Sequence, residues 1–129
     1  MEHILEYDEE NDFLRMKIPS DWKFDIRNAS SFLELVEEYY EGRTHRYLVV
    51  DVSESPGRSL SREFRTWMNE QATRIGFEKI GVVGVSPFNR MVAKIAIATM
   101  GKSKQTQFFK SEREAIRWLS VEDLVGAAR

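Results

Sequence analysis

Serine and arginine are the residues of this chain most densely placed for chemistry. Ser53, Ser55, Ser59 and Ser61 share one short stretch with Arg58 and Arg62. Hydroxyls beside guanidinium groups at the opening of a helix suit two tasks. In one, Ser59 or Ser61 caps the helix by accepting a hydrogen bond from a free backbone N–H, and Glu63 complements the helix dipole. In the other, Arg58, Arg62 and the free N–H groups hold a phosphate, and a serine phosphorylated there adds about two negative charges to a partner surface. Both readings converge on the turn from Ser53 to Arg62.

Other chemistries find less support. The two histidines, His3 and His45, have no second imidazole or cysteine at ligand spacing, and the chain has no cysteine at all. No metal site is therefore expected. Gly81-Val-Val-Gly84 falls inside a strand pattern rather than at a strand-to-helix turn, so no nucleotide-binding loop is expected. No serine sits in a Gly-x-Ser-x-Gly elbow, and none has an evident base beside it. The expectation is a protein without enzymatic activity or cofactor.

Charge and composition narrow the partners. Lys plus Arg number 19 against 21 Asp plus Glu, a net charge of -2, so no overall field draws the chain to nucleic acid. The 129 residues are 42% hydrophobic and 31% charged, which predicts one globular domain over residues 1–129. The lack of cysteine and the acidic start from Met1 to Glu10 predict a cytoplasmic protein without a leader. Lys94 interrupts the longest apolar run, leaving it too short for a membrane span.

The elements that must position the serine turn follow from periodicity. His3 to Tyr7 and Phe13 to Ile18 predict a hairpin of two strands across the polar cluster Asp8 to Asp12. In the second strand Phe13, Arg15 and Lys17 alternate with Leu14, Met16 and Ile18, which predicts one wet face. Pro19 ends that strand, and Ser20 to Asn28 reads as an irregular loop whose Trp22, Phe24 and Ile26 pack under the sheet edge. Ser31 with Glu34 has the capping-box spacing, followed by the stripe Phe32, Leu35, Val36, Tyr39 and Tyr40 of a helix ending at Gly42.

Tyr47 to Val52 carries the unbroken Leu48-Val49-Val50 of a central strand covered on both faces. After the serine turn, Leu60, Phe64, Trp67, Met68, Ala72 and Ile75 predict a second helix with Gly76 as its C-cap. Lys79 to Val85 predicts another central strand. Ser86-Pro87 opens a nearly all-apolar helix to Met100 that suits core packing, a pocket wall or a homodimer face. Gln105 to Phe109 predicts the last strand, and Ser111 with Glu114 caps a closing helix, with a frayed turn after residue 120. The order ββαβαβαβα predicts a mixed, mostly parallel sheet of four or five strands, an antiparallel amino-terminal hairpin and about four helices.

Three stretches together carry a resemblance. The strand-turn-helix unit from Tyr47 to Ile75, the strand-Ser-Pro-helix unit from Lys79 to Met100, and the closing Phe108-Phe109-x-Ser-x-x-Glu-Ala-x-x-Trp-Leu resemble the anti-anti-sigma-like STAS superfamily. The likeness is to its small stand-alone bacterial domains, whose fold is shared with the CRAL-TRIO lipid carriers, and it covers roughly residues 1 to 120. In regulatory members the helix after the central strand opens on Asp-Ser-Ser/Thr-Gly-Leu, where a partner kinase phosphorylates a hydroxyl. Here the stretch is Pro56-Gly57-Arg58-Ser59-Leu60. With Leu60 as anchor, the acceptor position falls on Arg58, Ser59 comes one residue late, and no aspartate precedes it.

The resemblance implies a binding or regulatory domain, and two classes of function follow. A protein partner docks on the Ser53 to Arg62 turn, steered by Arg58 and Arg62. Alternatively, a lipophilic small molecule lies between sheet and helices against Trp67, Met68, Met91, Ile95 and Met100. A homodimer through the Pro87 to Met100 helix is compatible with both.

Overall fold

The computed structural model describes residues 4–22, 25–54, 61–85 and 105–127, with side chains described as far as residue 120. The helix expected from Pro87 to Met100 lies outside these residues, as do His3, Ser55, Arg58 and Ser59. The described elements run β1 (Leu5–Asp8), β2 (Phe13–Lys17), α1 (Ile26–Tyr40), β3 (Tyr47–Asp51), α2 (Arg62–Ile75), β4 (Lys79–Val83), β5 (Thr106–Phe109) and α3 (Glu112–Ala127). The five strands form one sheet in the order β1-β2-β3-β4-β5. β1 pairs antiparallel with β2, and every later pair is parallel. This is the mixed α/β sheet that the sequence predicts.

Strand order explains the layers. Crossovers between neighbouring parallel strands are right-handed, so moving one way across the sheet puts α1 and α2 on the same face. There Phe32, Leu33 and Val36 of α1 and Ile75 of α2 bury against Leu14 and Leu48. α3 follows the last strand and has no strand to return to. It covers the opposite face, where Ala115 and Leu119 pack on Phe13, Tyr47, Val49 and Val83.

α3 accounts for a departure from the expected pattern. The face of β2 carrying Phe13, Arg15 and Lys17 is not simply wet, because Phe13 is wholly buried beneath α3. The Arg15 guanidinium bonds Glu112 at the start of α3 as well as Glu6 and Asp8. α3 also runs on to Ala127, where the sequence suggests only a frayed turn.

The caps divide into those that match expectation and one that does not. Ser61 Oγ accepts from Phe64 N–H at 3.1 Å, Ser111 Oγ from Glu114 N–H at 3.3 Å, and Gly76 closes α2 in the left-handed region at φ 77°. α1, however, starts at Ile26 rather than Ser31. Asp25 is its N-cap and accepts from Asn28 N–H at 2.7 Å, and Ala29 extends the buried stripe by one turn. Ser31 is exposed within the helix. The helix stops at Tyr40, before Gly42 at φ 77°.

Two polar groups bind the layers together. Tyr40 is buried, and its hydroxyl donates to the Tyr47 carbonyl at 2.6 Å, tying the end of α1 to the start of β3. Burial pushes its ionisation far above the ordinary range. Lys79 is 7% exposed, unusual for lysine, and its Nζ donates to the Leu119 carbonyl at 2.8 Å. The same ammonium lies 4.8 Å from the Tyr47 ring centroid and 5.8 Å from that of Trp118, fastening α3 to β4.

Two tests follow from these contacts. Tyr40→Phe leaves the Tyr47 carbonyl without this donor and should cost about 1–2 kcal/mol in urea unfolding, with an unchanged denaturant slope. Burial opposes ionisation of Asp8, but the Asn11 amide and side chain and the Arg15 guanidinium outweigh it and hold its carboxyl below the ordinary range. A depressed carboxyl stabilises the fold above its unfolded pKa, and that stabilisation drains away as pH falls through the folded value. Asp8→Asn should therefore flatten the loss of stability below about pH 4, measured as melting temperature against pH.

Candidate functional site

The carboxyl ends of β2, β3 and β4 lie side by side. Ile18 N–H donates to the Asp51 carbonyl at 2.9 Å, and Val52 N–H donates to the Val83 carbonyl at 2.9 Å. These two bonds carry the pairing just past the strands. Asp51 Oδ1 accepts from Ser53 N–H at 2.9 Å, a turn that aspartate forms with its own backbone two residues on. β4 stops at Val83, two residues short of the expected Val85, because Gly84 leaves the strand at φ 90°. A Cβ on Gly84 would stand 2.7 Å from both Cα and N of Ser53, so the two chain exits touch backbone to backbone.

The turn residues are placed as follows. Ser53, Ser61 and Arg62 are exposed at this end, and Ser61 is occupied in capping α2, with Glu63 in the first turn. The capping reading of Ser61 is thus realised. Arg62 borders a shallow surface depression with Glu63, Trp67 and Glu70, so its surroundings carry both signs of charge. Ser55, Arg58 and Ser59 fall outside the described residues.

Beneath this end, between the sheet and the pair α1 and α2, lies a cavity of about 290 Å³. Its floor is Met16 and Ile18 from the end of β2 with Leu48, Val50 and Val52 from β3. These residues share a face because side chains alternate along a strand. α1 contributes Ala29, Phe32 and Leu33, while α2 contributes Phe64, Arg65 and Met68. Trp22 and Phe77 complete the wall, and the Trp22 ring meets Phe32 edge-on at 4.5 Å between centroids.

The chemistry of this lining is nearly uniform. Among the described residues that form it, Arg65 alone is ionisable. Arg65 is exposed, and a long side chain of this kind lays its stem along an apolar wall while its guanidinium stays in water. None of the described lining residues offers a carboxylate, imidazole or hydroxyl to move a proton or attack a bond. The arrangement can exclude water and hold an apolar body. Among the described residues no group of three metal-binding side chains occurs, and no helix is long and apolar enough to cross a membrane.

Of the residues expected to line a pocket, Met68 does so. Trp67 does not line it; it packs against the neighbouring core 6.0 Å from the Phe64 ring and borders the outer depression instead. Met91, Ile95 and Met100 lie outside the described residues. Sequence reasoning missed Phe64 and the α1 wall as a site because they read as ordinary core periodicity, and Arg65 because it falls on the polar side of the second helix. A usable signal was present in the small Ala29, which leaves room where a larger residue would fill the stripe.

The geometry thus defines an α/β domain with an apolar cavity of ligand size between its parallel strands and the pair α1 and α2. The chain belongs to the family described as a domain of unknown function (DUF7793), whose model matches residues 7–121. That span contains every described residue lining the cavity. No curated protein matches the chain.

Gly84 gives this region its test. Gly84→Ala places a methyl group against the Ser53 backbone at a positive φ, and should cost about 2–4 kcal/mol in chemical denaturation. Gly42→Ala, also at positive φ but with nothing within 4 Å, should cost less, and equal losses would show that the close approach does not matter.

Proposed function

We propose that this chain is a non-enzymatic, STAS-like binding or regulatory domain of the cytoplasm that carries or senses a lipophilic small molecule. The carrying observation is the apolar cavity at the carboxyl end of β2 and β3. Covering such a wall removes apolar surface from water at about 25 cal/mol per Å². Described lining residues that include one exposed cation and no acid, base or nucleophile support binding rather than turnover. The order of strands and helices, with an antiparallel hairpin leading a parallel series, supports the STAS-like reading.

Protein recovered from its own host without denaturation should carry a lipophilic adduct in native mass spectrometry that is released on unfolding. Repeatedly finding only the bare mass would count against a resident ligand. The same spectrum reports whether the chain is a homodimer.

A second reading places a protein partner on the exposed end above the cavity, favoured by the exposure of Ser53, Ser61 and Arg62 around the α2 start. Arg62→Glu should then abolish a pull-down interaction and leave the melting temperature nearly unchanged. An equal loss from Arg117→Glu, on exposed α3 surface, would sink this reading.

A further inference from the structure

The size and neutrality of the cavity define its ligand more narrowly than lipophilicity does. We infer that it takes a small uncharged hydrophobe and excludes long acyl chains, an inference that rests on the small-molecule reading proposed above. A volume of about 290 Å³ sits at the lower edge of ligand pockets. At the roughly 30 Å³ that a water-sized group occupies in a liquid, it holds about ten non-hydrogen atoms. That is the body of a substituted benzene or a monocyclic terpene.

Neutrality follows from the walls. A carboxylate or ammonium carried inward would face Phe32, Val50, Phe64 and Met68, and among the described lining residues an ammonium would find no opposite charge and a carboxylate only that of the exposed Arg65. Because Arg65 is exposed, pairing with it would hold a carboxylate on the solvent side of the cavity rather than among the apolar walls. Met16 and Met68 are unbranched and adjust to irregular shapes, so the pocket selects by volume and polarity more than by outline.

Three probes separate these terms: p-cymene, the same skeleton bearing a carboxylate as 4-isopropylbenzoate, and the long-chain 1-hexadecanol. Trp22 lines the cavity, so its fluorescence reports occupancy, with Trp22→Phe as the control that subtracts Trp67 and Trp118. Saturating p-cymene should change that fluorescence and raise the melting temperature by about 5 °C. The carboxylate should bind about tenfold or more weaker, and hexadecanol should leave both signals unmoved. Met68→Trp fills the space and should abolish the p-cymene response; Ala29→Leu, a smaller intrusion, serves the same purpose should the larger one unfold the domain.

The failures differ. Hexadecanol binding as tightly as p-cymene would overturn the size limit and leave a lipophilic pocket standing. The carboxylate binding as tightly as p-cymene would overturn neutrality. Silence from all three would overturn the inference together with the small-molecule reading.

Discussion

The pairing of β3 between β2 and β4, parallel on both sides, is the constraint on which the remaining architecture depends. Parallel neighbours cannot be joined by tight turns, so each connection must cross a face, and the hand of the crossover is fixed. Because the strand order advances in one direction, α1 and α2 are forced onto a common face with a seam between them. The same pairing brings the exits of β3 and β4 together, where only glycine fits at position 84 against Ser53. The cavity lies at that end of the seam, between the helices and the strand floor.

Much of this was legible in the sequence because local and global signals agreed. Leu48-Val49-Val50 announced a strand covered on both faces, and β3 is so covered. Ser61, Gly76 and Ser111 stood at helix boundaries with the residue types that boundaries require. The start of α1 differs from the sequence expectation because the capping-box spacing at Ser31 masks an earlier cap inside the stretch that reads as a loop. In the structure Asp25 caps the helix, and Ala29 is an apolar position that only this earlier start buries.

What the sequence hid were consequences of tertiary placement. Phe13 shared its face with Arg15 and Lys17, and nothing local revealed that α3 would return to cover it. Lys79, the first residue of β4, is buried against Tyr47 and Trp118 because a strand beneath α3 begins there. The cavity belongs to the same class. Every described lining residue except Arg65 has the apolar type of a core residue, and an unfilled space depends on how α1 and α2 sit above the floor. Periodicity reports which face is buried but carries no information on whether the facing side chains meet.

The cavity and the exposed turn are not mechanically separate. The Phe64 backbone amide is held by Ser61 Oγ at the exposed start of α2, while the Phe64 side chain lines the cavity. One residue therefore links a surface hydrogen bond to an interior wall. The first turn of α2 thus carries two tasks on one residue, since the amide that Ser61 Oγ satisfies belongs to the residue whose ring walls the cavity. The cap fixes where the helix begins, and the start of the helix fixes where the Phe64 ring stands above the strand floor.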